Sequence, residues 1–186
     1  MLESRLQQHF AEGADLFNQA VDMLCGPLAE AARLLAASIT SGGKILVAGA
    51  DIGAFLAPIL VAHFNGRCER ERPALPALAL RQEPGFDLVA QVQTLGQPGD
   101  VLLVLDARGT TEALLSAAQT AAEADLAVLA LTGPEAAAWQ HQLSEADVLI
   151  CVPHDRALRI HETHLLMLHA LCDAVDHQLL GELETD

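Results

Sequence analysis

The first forty residues place apolar side chains at helical spacing. Leu2, Leu6, Phe10, Leu16, Phe17, Ala20, Val21 and Leu24 form one stripe with polar residues between them. Gly26-Pro27 interrupts the stripe, and Pro27 suits the first turn of a second helix over residues 28–39, closed by Ser41-Gly42-Gly43. The period then changes. Short apolar runs predict strands at 44–48, 76–80, 101–105, 127–131 and 147–152. Helical stretches fall between them at 54–64 (with Pro58 inside), 88–95, 112–124 and 136–142, and a long closing helix spans 156–180. Strands alternating with helices predict one α/β domain over 1–186. It comprises a doubly wound, three-layer parallel sandwich (42–186) preceded by a helical pair (1–41) whose apolar faces suit a neighbouring subunit.

The stretch GDVLLVLDARGTTEALL (99–115) is the centre of this arrangement. A strand, a tight loop and a helix start there present backbone N–H groups and a positive dipole end to an anion. Ligands of open α/β sheets bind at such strand carboxyl ends. A generic phosphate loop is filled with Gly, Ser and Thr, whereas this one reads Asp106, Arg108, Gly109, Thr110 and Thr111, followed by Glu112. The first such loop, Gly49-Ala50-Asp51-Ile52-Gly53, also carries an acid, and Thr132-Gly133-Pro134 and Pro153-His154-Asp155 close two further strands. Asp51 and Asp106 either cap the helices that follow or turn phosphate away. In the second case each repulsion is roughly 3–4 kcal/mol at a few ångströms and an effective dielectric near 20, so Asp106→Ser is expected to admit a sugar phosphate. Arg108 suits a surface ion pair with one of these acids better than a substrate clamp.

Composition narrows the function classes. A net charge of −15 excludes a nucleic-acid or membrane-surface binder, because phosphate contacts need clustered Lys and Arg. Early charges without an apolar core in residues 1–8 predict a cytoplasmic chain. Cys25, Cys68, Cys151 and Cys172 are widely spaced, as expected of buried thiols in a reducing compartment.

The stretches SGGKILVAGA (41–50), ERERPALPALAL (69–80), LGQPGDVLLVLDARGTTEAL (95–114), VLALTG (128–133) and RIHETHLLMLHALCD (159–173) together resemble the SIS (sugar isomerase) domain family. The likeness is to its phosphoheptose isomerase group, which includes the DiaA-type regulators that associate with the initiator DnaA. The resemblance implies a flavodoxin-like sheet and a homotetramer, or at least a dimer, with sites at subunit boundaries. It also implies site positions. A phosphate-binding Ser of the isomerases falls on Gly53, and three more fall on Asp106, Arg108 and Thr111, of which only Thr111 keeps a hydroxyl. The family's His and Glu on the helix after the first strand fall on Ile59 and His63, and its Gln and His on the last helix fall on His161 and His169. The loop RQEPGFD (81–87) is shorter than its counterpart and lacks an Asn-Asp pair.

An isomerase needs an acid and a base within reach of adjacent sugar carbons, and on these positions only His63 and His169 serve. On the closing helix His161, Leu165, Leu168, His169 and Cys172 share a broad face, with His164 toward its edge. Zinc on His63, His161 and His169 is the one metal this pattern offers, against hydrogen-bonded histidines in a wet interface; no cofactor is otherwise required. With Asp51, Gly53, Asp106, Arg108, Gly109, Thr110, Thr111 and Thr132 around an altered loop, the expectation is a non-catalytic, DiaA-like oligomeric regulator, with DnaA as the partner the resemblance offers. The alternative is an isomerase of sedoheptulose 7-phosphate or another sugar phosphate.

Overall fold

Five strands, β1 (Ile45–Gly49), β2 (Ala77–Ala79), β3 (Val101–Asp106), β4 (Ala127–Thr132) and β5 (Val148–Cys151), hydrogen-bond into a parallel sheet ordered β2-β1-β3-β4-β5. They belong to a computed structural model that describes residues 1–82 and 85–181. Six helices, α1 (Leu2–Thr40), α2 (Gly53–Asn65), α3 (Leu88–Leu95), α4 (Glu112–Glu123), α5 (Ala137–Gln142) and α6 (Ala157–Leu180), cover the sheet on both faces. Because strand side chains alternate, Val101, Leu103 and Leu105 of β3 enter a core shared with α1, α2 and α6, where Leu35, Phe64 and Leu171 meet them. Leu102 and Val104 enter a second core with Val92 of α3, Leu114 of α4 and Trp139 of α5. The three-layer, flavodoxin-like sandwich expected from the alternating pattern is therefore present.

The N-terminal helical pair is not. Residues 2–40 form one continuous helix that runs through Gly26 and Pro27. Ala20 and Leu24 before the proline, and Ala31, Ala32 and Leu35 after it, lie in one buried stripe of the same core. Keeping that stripe in phase requires the helix to continue. An interior proline costs about 3 kcal/mol, and burial of a leucine contributes roughly 1.5–3 kcal/mol, so two or three packed side chains offset it. Packing overrode the local stop signal. The helix α1 is also long and apolar enough to cross a membrane by length and composition, a feature the sequence pattern did not suggest. A third of its most apolar window is buried inside the fold.

The chain leaves β1 for α2 on one face of the sheet and leaves β3 for α4 on the other. The carboxyl ends of these adjacent strands consequently diverge, and the crevice between them is the topological switch point where such sheets bind ligands.

Candidate active site

Two loops form the walls of this crevice. The β1–α2 loop is drawn tight against β3: a Cβ on Gly53 would stand 2.6 Å from the carbonyl oxygen of Leu105. The family's phosphate-binding Ser would therefore collide with the strand here, and the glycine is a packing requirement. Two residues earlier Asp51 takes a left-handed conformation (φ 51°), which Asp tolerates better than most residues, and it stands in solvent. Its Oδ2 pairs with Nε of Arg108 at 3.0 Å across the crevice.

The β3–α4 loop turns at Gly109 (φ 72°), where any side chain would run into the carbonyl of Glu135. Asp106 belongs to the lining of the smallest crevice cavity, but its carboxylate is not offered to a ligand in the way its position suggested. It is completely buried, and its carboxylate accepts from the Thr111 backbone N–H (3.1 Å), the Thr111 hydroxyl (2.8 Å) and Nε1 of Trp139 (3.0 Å). An acid in a loop can satisfy a helix start from below as well as from the front, and this one does the former. The Thr111 hydroxyl is thereby spent, while Thr110 stays exposed. Thr132 is buried beneath the loops, with its hydroxyl donating to the Gly133 carbonyl at 3.1 Å and directed at Cys151 Sγ at 3.3 Å.

Arg108 lines three cavities at this end of the sheet. The first, about 210 Å³, is bounded by Asp51, Ala107, Ala157 and His161. A second, about 400 Å³, includes Thr110, Glu135 and Asp155. The third, about 480 Å³, includes Asp51, Gln82, Thr110 and Thr111. No other Lys or Arg lines any of the three among the described residues.

The histidines separate into two pairs. His63 and His169 are in edge-on contact with ring centroids 5.3 Å apart, as the resemblance implied. They line a different cavity, about 570 Å³, with Cys68, Glu69 and Asp173. His161 is not with them. Its ring meets His164 edge-on at 6.2 Å, and it forms part of the crevice wall. Among the described residues no three metal-ligating side chains come together, so within one chain His63, His161 and His169 do not assemble a zinc site.

His161 is buried, and its Nδ1 has no hydrogen-bond partner among the described residues. Loss of solvent lowers its pKa from the ordinary value, opposed by the nearby negative charge of Asp51. His164, expected at the edge of its helix face, is wholly buried. Its Nε2 donates to the Thr132 carbonyl at 3.3 Å, which leaves Nδ1 as a buried lone pair without a partner. Burial pushes its pKa down to about 4, mainly against the effect of that carbonyl bond. The signal for His164 was in the sequence: on α6 it shares a helical face with Ile160, Met167, Leu168 and Leu171, all buried. His154 takes the capping role, accepting the Arg156 backbone N–H on Nδ1 at 2.9 Å, while Arg156 pairs with Glu12 of α1.

A family profile described as SIS domain matches residues 8–133. A protein named phosphoheptose isomerase from Methylibium petroleiphilum is 45% identical, with 98% of this chain and 97% of the relative covered. The structure of phosphoheptose isomerase from Neisseria gonorrhoeae superposes with a TM-score of 0.87 at 34% identity, covering 95% of this chain and 99% of that one. A phosphoheptose isomerase structure from Francisella tularensis gives a TM-score of 0.89 at 30% identity, with the same coverage. These full-length likenesses overturn the expectation of a non-catalytic, DiaA-like regulator. They favour the isomerase reading that the sequence left as the alternative.

Proposed function

The chain belongs to the SIS-domain family, in the group of the phosphoheptose isomerases, and from that premise we propose that it is itself an aldose–ketose isomerase of a sugar phosphate. The observation that carries this reading is His161. A neutral imidazole with an unengaged ring nitrogen stands in the wall of the switch-point crevice. Isomerisation takes a proton from the carbon beside a carbonyl and returns it to the neighbouring carbon through an enediol. A base for that step must be deprotonated at working pH and reachable by the substrate. Burial favours the neutral ring of His161, whose Nδ1 is closed off inside the fold and whose Nε2 is the nitrogen left for the crevice. The guanidinium of Arg108 supplies the anion-facing side of the same crevice.

A second assignment of the base rests on the edge-on contact of His63 with His169. His169 lies eight residues beyond His161 on α6, about 12 Å along the helix axis, a span that suits a longer phosphosugar chain held by its phosphate at the loops. The deciding experiment is proton exchange and turnover with sedoheptulose 7-phosphate in deuterated water. We expect turnover by the parent chain and a loss on the order of a hundredfold in kcat for His161→Gln. Normal kcat in that variant, with loss in His63→Gln and His169→Gln, moves the base to the second pair. No exchange with any sugar phosphate overturns the isomerase reading.

A second copy of the chain is the partner we propose for the outer face of α1. Leu2, Leu6 and Phe10 stand there in solvent, with Val21 and Met23 further along. A monomer by light scattering at micromolar concentration overturns this.

A further inference from the structure

We infer that Arg108 is the residue that takes the substrate's phosphate, and that Asp51 holds its guanidinium over the crevice. This rests on the isomerase reading above. The positions of the serines that bind phosphate in the resembled enzymes offer no free hydroxyl here, and Thr110 beside Arg108 is the exposed hydroxyl of the loop. Gly53 cannot carry a side chain without meeting Leu105, Asp106 is turned into the core, and the Thr111 hydroxyl is bound to Asp106. The Thr111 backbone N–H, which opens α4, is taken by the same carboxylate. Both donors of Thr111 are thus consumed from inside.

Arg108 is what the crevice has left. It is the one cationic side chain shared by the three cavities among the described residues, and 73% of it is exposed. Its planar fork can hold a phosphate through two parallel hydrogen bonds, which a hydroxyl cannot do. Asp51 pairs with it through Nε, and among the described residues no hydrogen bond engages the two terminal nitrogens. Both partners are largely in solvent, where an ion pair is weak and readily exchanged for a dianion. The left-handed backbone at Asp51 fixes this partner in place, because the tight Gly49 and Gly53 corners leave the loop little freedom to withdraw it. One carboxylate beside a guanidinium also tunes affinity downward, which favours release of a phosphorylated product.

The test uses the full chain and four proteins: parent, Arg108→Gln, Arg108→Lys and Asp51→Asn. Inorganic phosphate binding is followed by titration calorimetry, and KM and kcat are measured on any sugar phosphate the parent turns over. For Arg108→Gln we expect phosphate affinity to fall and KM to rise on the order of tenfold or more, with kcat within about threefold of the parent. Arg108→Lys should recover part of the loss, and Asp51→Asn should bind phosphate severalfold more tightly. Unchanged phosphate affinity and KM in Arg108→Gln overturn the inference and leave the isomerase reading standing. Phosphate binding that depends on Arg108 without turnover of any sugar phosphate supports the inference and overturns the isomerase reading. A parent chain that neither binds phosphate nor turns over overturns both.

Discussion

Nε1 of Trp139 donates to Oδ2 of Asp106 at 3.0 Å, and both residues are completely buried. This bond joins α5 to the end of β3 and converts a loop acid into a piece of the core. With the Thr111 amide and hydroxyl as its other donors, the carboxylate at 106 satisfies three groups, of which the Trp139 N–H has no water to turn to.

Asp106→Ser therefore reverses its expected effect. A serine hydroxyl is too short to reach Trp139 and Thr111 together, and each buried donor left without an acceptor costs about 1–3 kcal/mol. The variant should lose about 2–4 kcal/mol in urea unfolding and gain no affinity for phosphate by calorimetry. Asp106→Asn, which keeps one acceptor oxygen, should fall between parent and serine variant. Full stability together with new phosphate binding in Asp106→Ser would show that this side chain faces the ligand after all.

Gly53→Ser follows the same logic from the other loop. It restores a residue type the resemblance associates with phosphate, yet its Cβ would press on the Leu105 carbonyl at 2.6 Å. We expect a lower melting temperature and unchanged phosphate affinity. Tighter phosphate binding in this variant would mean that the loop opens away from β3.

The sheet was legible because β3 carries an unbroken apolar run buried on both faces, and its shortness after the Gly99-Asp100 turn identifies such a strand. The helix through Pro27 was not, since the stripe shared by Leu24 and Leu35 matters only once α6 and the sheet are there to receive it. At the site, sequence spacing placed His63 near His169 only through resemblance, and it put His161 in the wrong company. The direction in which Asp106 points was invisible. Its partner Trp139 lies on a separate helix, and no local pattern encodes a contact between loop and distant helix.

Arg72 and Asp176 form a pair whose side chains are 1% and 2% exposed. Nε of Arg72 donates to Asp176 of α6 at 2.5 Å, and its terminal nitrogens donate to the carbonyls of His63 and Phe64 at 3.0 Å each. These carbonyls lie in the last turn of α2, where helix acceptors lack intrahelical partners. Removing one member of a buried pair leaves an uncompensated charge, so Arg72→Met should destabilise by about 3–5 kcal/mol in urea unfolding. Arg72→Met combined with Asp176→Leu should recover part of that loss. If the double variant is no better than the single one, the charge on Asp176 is not what the arginine balances.

Stability should also depend on pH through His164. Its pKa is about 4 in the folded chain and about 6.5 when unfolded, so between these values the unfolded chain binds the extra proton. Unfolding free energy therefore decreases as pH falls from 6.5 toward 4 and loses no more from this group below that. The full window corresponds to about 3 kcal/mol. Asp106, His161 and the Thr132 carbonyl face the same ring, and His161, also lowered by burial, acts in the same direction. Urea midpoints at pH 7.5 and 5 separate them: His164→Gln should flatten most of the difference and His161→Gln a smaller part. Parallel pH profiles for parent and His164→Gln would show that this imidazole takes up its proton without unfolding the site around it.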